Sequence, residues 1–131
     1  MYNTLSAVTK GNKMLKNVKE FIDKFEFGVL DSPGFHPALD KRVEHIDEEL
    51  TELKQAIKNG NKEETIDALL DIVYIALGTA YMCGFDTQAH WDEIQRANMS
   101  KVRGVTKRGH SYDVKKTDGW QGPDHTTILE K

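Results

Sequence analysis

Residues 61–84 read NKEETIDALLDIVYIALGTAYMCG, and this stretch decides the fold. Ile66, Ala68, Leu69, Leu70, Ile72, Val73, Ile75, Ala76, Leu77 and Ala80 cover nearly every azimuth of a helix, the pattern of a buried helix rather than a surface one. Asn61 followed three residues later by Glu64 resembles a capping box, and Gly84 supplies a stop, so the helix is expected to run to about Cys83.

Working outward, only Gly60 and Gly78 interrupt the chain between Ala38 and Met82, which is helix territory. A helix is expected from about Ala38 to Asn59, with an apolar stripe of Val43, Ile46, Leu50, Leu53 and Ile57 and a stop at Gly60. The two long helices are joined by about two residues and must lie antiparallel. Upstream, Leu15, Val18, Phe21, Ile22 and Phe25 predict a helix over about Asn12 to Phe25, after an N-terminal extension at 1–11. Gly28 to Pro37 reads as a loop, because Asp31-Ser32-Pro33-Gly34 is turn chemistry. Downstream, Asp86 caps a fourth helix to about Asn98, and residues 102–131 read as an irregular, basic, Gly-rich tail. No convincing alternating strand is present, so the expected architecture is a single all-α domain over 1–131, a four-helix bundle.

At 131 residues and 14.9 kDa the chain is too short for a multidomain enzyme. A net charge of −3 speaks against a partner that is a nucleic-acid polymer. The one cysteine, Cys83, and the absence of an apolar h-region over Met1 to Leu15 point to a reducing, cytoplasmic setting. Ala68 to Cys83 is about one turn short of a membrane span and is interrupted by Asp71, so no membrane partner is expected.

The chemistry lies in the carboxylates. Asp67 and Asp71 share one narrow arc of the buried helix at i, i+4, in line with Glu64, whose position favours a capping role. On the preceding helix Glu48 and Glu52 lie about 40° apart, with Glu49 about 60° beyond Glu52. Taken alone those three fit a solvated face, since the apolar stripe centres nearly opposite Glu48. Ionised carboxylates on a buried helix, however, require a cationic partner. A divalent metal meets that need, and oxygen-only donors suit Mg²⁺, with Mn²⁺ able to substitute. His45 is the one histidine near the cluster and reads as a neighbour of the ligands or a surface residue. Such a site serves phosphate chemistry, although neither GxxxxGK[ST] nor GxGxxG occurs.

Glu48-Glu49-Leu50-Thr51-Glu52, then Asp67-Ala68-Leu69-Leu70-Asp71-Ile72-Val73-Tyr74, Arg96-Ala97-Asn98-Met99-Ser100-Lys101 and a late Gly-Trp-Gln-Gly-Pro-Asp together resemble the all-α nucleoside triphosphate pyrophosphohydrolases. The likeness is to the MazG-like superfamily, in its short phage and phosphoribosyl-ATP-pyrophosphohydrolase-like branch, over roughly Phe21 to Asp124. It implies Mg²⁺-dependent hydrolysis of an NTP or dNTP to the monophosphate and pyrophosphate, by a dimer or dimer of dimers. By the same resemblance Glu48, Glu49 and Glu52 match the first acidic motif and Asp71 the end of the second, with Asp67 standing in for the glutamate that Ala68 replaces. Glu49 is the candidate to orient or deprotonate water. Asn98 and Lys101 match a substrate-contacting segment. Arg103 and Lys116 add charge suited to a triphosphate, and Trp120 is placed either to stack on a base or to pin the tail.

The compact branch favours a deoxynucleotide, a purine such as dGTP among them. The competing reading, kept open by Ala68, is a catalytically silent nucleotide- or metal-binding helical oligomer. The buried helix carries apolar residues on more sides than three other helices of one subunit can cover, so the bundle is expected to be completed by oligomerisation.

Overall fold

The computed structural model describes residues 4–27, 37–109 and 113–131, with side chains over 13–27, 39–109 and 113–131. The chain is all-α: α1 (Thr4–Lys24), α2 (Pro37–Lys58), α3 (Lys62–Met82), α4 (Thr87–Met99) and a short α5 (His125–Leu129), with two residue pairs forming β1 (Val102–Arg103) and β2 (Val114–Lys115). It divides into two compact units, residues 1–85 and 86–131.

In the first unit, α3 packs along both α2 and α1. The turn between α2 and α3 follows from local chemistry. Gly60 takes φ 65°, a left-handed conformation that lets Asn61 N–H reach back to the Ala56 carbonyl at 2.9 Å. Asn61 then caps α3 by accepting from Glu64 N–H at 3.0 Å. At its other end Gly84, φ 79°, stops α3 in the same way.

Val18 and Ile22 of α1 and Met82 of α3 form the buried cluster, with Leu39, Leu77, Tyr81 and Cys83 packed against it. Tyr81 Oη donates to Asp23 at 3.1 Å and ties α3 to α1. By length and composition alone α3 could cross a membrane; it exceeds the apolar stretch from Ala68 because its charged first turn belongs to the same helix. Here it serves as the central helix of the unit.

Three expectations are corrected. First, α1 begins at Thr4 rather than near Asn12, since Gly11 lowers helix propensity without terminating the helix. Second, the face of α2 that turns inward is Arg42, Ile46, Glu49, Leu53 and Ala56; Ile46 and Leu53 of the expected stripe lie on it, while Val43, Leu50 and Ile57 are exposed and Arg42, Glu49 and Ala56 take their places. The reason lies on α3, whose buried positions include the small residues Ala68 and Gly78. A Cβ on Gly78 would stand 2.9 Å from Arg42 Nη2, so the absence of a side chain there admits the guanidinium. Third, the region after Lys101 is an ordered hairpin followed by a helix. Val102 pairs with Lys115 and Arg103 with Val114, antiparallel, and a two-residue ladder is too short to show alternation in sequence. Most of the expected 28–37 loop lies outside the described residues.

Candidate active site

A cavity of about 440 Å³ opens in the first unit, lined by Phe21, Ile22, Phe27, Arg42, His45, Glu49, Asp71, Tyr74 and Ile75. That volume lies in the usual range of small-molecule sites. It has two chemically distinct parts. Phe21 meets Phe27 and Tyr74 edge-on, with ring centroids 5.6 and 5.4 Å apart, so one part is aromatic. Glu49 and Asp71 make the other acidic.

Glu49 is the enclosed carboxylate. Its side chain is 14% exposed, and Oε2 is buried with no hydrogen-bond partner. Burial pushes its pKa up, and Glu52, within hydrogen-bonding reach, and Asp71 push it further, against a smaller opposing effect of His45. Asp71 is raised in the same way, first by burial, then by Asp67 beside it and by Glu52. His45 Nε2 lies 3.8 Å from Glu49 Oε1 and is half exposed. Four carboxyl groups, Glu49, Glu52, Asp67 and Asp71, therefore share one electrostatic neighbourhood. Glu48 is exposed on α2 and contributes to neither of these shifts.

Arg42 is the cation at this cavity, and sequence reasoning did not single it out. Nε donates to Thr79 Oγ1 at 2.9 Å and Nη2 to the Ile75 carbonyl at 3.1 Å, both on α3. Phe27 lies beneath it, 6.0 Å from ring centroid to guanidinium carbon. Burial lowers its pKa from the ordinary arginine value. The available signal was its i, i+7 spacing from Glu49, which puts both on one face of α2. Sequence reasoning places Phe21 only on a helix face and Tyr74 only in a family motif, and does not single out Phe27.

The chemistry of the donors fits a hard divalent cation: oxygen ligands only, mutually repelling, with one enclosed oxygen lacking a partner. Among the described residues, no three acidic, imidazole or thiol groups already stand at mutual metal-binding distance.

The other expected site residues lie in the second unit. Lys101 and Lys116 Nζ stand 5.3 and 4.9 Å from the Trp120 ring centroid. The Trp120 indole N–H donates to the Ala97 carbonyl at 3.0 Å and to Ser100 Oγ at 2.9 Å, pinning the segment after β2 to the end of α4. Asn98 and Arg103 are exposed.

In comparison with protein families, the model of phosphoribosyl-ATP pyrophosphohydrolase aligns with residues 18–98, more than half of the 131 residues. The chain belongs to this family. The family is part of the all-α MazG-like NTP pyrophosphohydrolase superfamily and supports nucleotide pyrophosphohydrolase activity in general. The matched segment contains every residue of the cavity, and Lys101, Arg103, Lys116 and Trp120 fall beyond it. A search of curated proteins finds no match.

Proposed function

We propose that the protein hydrolyses a nucleoside triphosphate, preferentially a purine deoxynucleotide, to the monophosphate and pyrophosphate with Mg²⁺ as cofactor and Mn²⁺ as a working substitute. The observation that carries this reading is the partnerless Glu49 oxygen, enclosed beside Asp71 in a cavity whose other part is aromatic. Glu49, Glu52, Asp67 and Asp71 are the residues that would hold the cation. Bound there, it would neutralise triphosphate charge and lower the pKa of an attacking water.

Glu49, the most enclosed of the four, orients that water and accepts its proton. Phe21, Phe27 and Tyr74 offer faces on which a base can stack. By the resemblance alone, Asn98, Lys101, Arg103 and Lys116 of the second unit are assigned to substrate contact, with Lys101 and Lys116 gathered at one indole. Val43, Leu50, Ile57, Ile66, Leu70 and Val73 are exposed on α2 and α3, and we assign this apolar surface to a second copy of the chain.

Phosphorus NMR of a dNTP incubated with protein and Mg²⁺ should show monophosphate and pyrophosphate in equal amounts. Diphosphate with orthophosphate would refute the assignment. The silent-binder reading draws on Ala68, 3% exposed, at the position where the resemblance calls for a glutamate. It predicts Mg²⁺-dependent thermal stabilisation with no product of either kind.

A further inference from the structure

We propose that Arg42 reads the substrate base and selects a 6-oxopurine, guanine or hypoxanthine, over adenine. This deepens the triphosphate-hydrolysis reading above and rests on it. Arg42 and Glu49 are seven residues apart on the inward face of α2, a separation of about 10 Å along the helix at its usual rise. Phosphates gathered at the acidic part therefore leave the base near Arg42 and the aromatic rings. The guanidinium lies over the Phe27 ring at 6.0 Å, and Phe21 and Tyr74 line the same cavity, so a base stacked on either of those two rings presents its edge to Arg42.

The donor inventory determines which edge fits. Arginine has five N–H groups and no acceptor. Nε and one Nη2 N–H are committed to Thr79 and Ile75 of α3, which fixes the plane of the group. Among the described residues no carboxylate pairs with Arg42, and its Nη1 side has no partner. Gly78 makes the placement possible, because any side chain there would press on Nη2. The remaining edge of this cavity-lining group offers donors only.

Guanine and hypoxanthine present two acceptors, O6 and N7, to such a fork, whereas adenine presents N7 beside an N6 amino donor. Adenine would leave one guanidinium N–H facing another donor, and sites built to hydrogen-bond a group reject analogues that lack it.

The test is kcat/KM of the full-length protein with Mg²⁺ on dGTP, dITP and dATP, for wild type and Arg42→Lys, with thermal melting as a check on folding. Wild type should favour dGTP and dITP over dATP by about tenfold or more. Arg42→Lys should collapse that ratio by lowering dGTP and dITP turnover alone. A wild-type preference for dATP, or equal use of all three, overturns the proposal. So does an equal fall on all three in Arg42→Lys, the behaviour of a phosphate contact or a helix clamp. Because Arg42 also ties α2 to α3, calorimetric binding of dGMP against dAMP to wild type gives an independent reading, with equal affinities overturning the proposal. Absence of turnover on any triphosphate, with dGMP still bound more tightly than dAMP, would instead refute the hydrolysis reading and leave the base selection standing.

Discussion

The two units treat their acidic residues in opposite ways. In the second, every strongly perturbed carboxylate has a partner and its pKa is lowered. Asp113, 6% exposed, takes Arg108 Nη2 at 2.6 Å, Arg108 Nε at 3.0 Å, the Val114 N–H and the Thr106 hydroxyl, and is held far below the usual carboxylate range. Glu93 accepts from Arg96 at 2.8 Å and from Asp124 N–H at 3.0 Å, while Asp124 caps α5 through Thr127. In the first unit, Glu49 and Asp71 are raised by burial and by one another's neighbours. A fully partnered carboxylate holds a fold together; Glu49 and Asp71, crowded by other carboxylates with only His45 opposing them, are where the proposed cation would act.

The largest expected effect follows from removing that distinction at the cavity. Glu49→Gln or Asp71→Asn should lower kcat by about 10²–10⁴-fold and abolish stabilisation by Mg²⁺, while leaving the metal-free protein at least as stable as wild type. Steady-state kinetics beside thermal melts with and without Mg²⁺ read both outcomes. A metal-free melting point that falls sharply would place these carboxylates with the structural ones.

In the second unit, Arg108→Ala leaves Asp113 without its bidentate partner. Amide exchange in β1 and β2 should quicken, while Mg²⁺ stabilisation of the first unit persists. Acid should give the same result by another route. The folded pKa values of Asp113, Glu93 and Asp124 lie below their unfolded values. Their contribution is therefore complete above pH ~4 and is lost as pH falls below it. Glu49 and Asp71, shifted upward, add nothing to that loss. Amide exchange followed from pH 6 to pH 3 should show the hairpin and α5 weakening below pH ~4; equal weakening of the α2–α3 pair over the same range would break the contrast.

How much of this was legible in sequence depends on how locally each feature is encoded. The turn at Gly60 and Asn61 and the caps at Asp86 and Gly84 are written within three or four residues and appear where expected. The inward face of α2 was legible at Ile46 and Leu53 but not at Arg42 and Glu49, because Val43, Leu50 and Ile57 look more like a core than those two do. That choice is made by α3, through Gly78, which admits Arg42. The same displacement turns Glu49 inward and Glu48 out to solvent, a separation that adjacency in sequence conceals. The hairpin was missed because its organising contact, Arg108 with Asp113, is a side-chain pairing rather than a periodicity.

Two smaller effects sharpen the comparison. Gly78→Ala should gain about 1 kcal/mol in helix propensity and lose about 1–3 kcal/mol to crowding of Arg42 and Ile22, a net fall in denaturant midpoint. An unchanged or raised midpoint would show that Arg42 moves aside freely. Glu48→Gln, on the exposed side of α2, should change kcat by less than about threefold. A loss matching that of Glu49→Gln would bring Glu48 into the cation-holding group.

The central claim is that the α2–α3 carboxylates hold a hard divalent cation, and Mn²⁺ titration followed by electron paramagnetic resonance tests it most directly. Wild-type protein should remove the free Mn²⁺ signal saturably, with Mg²⁺ competing, and Glu49→Gln should leave that signal in solution at the same concentrations. Equal binding by both proteins, or by neither, would contradict the account.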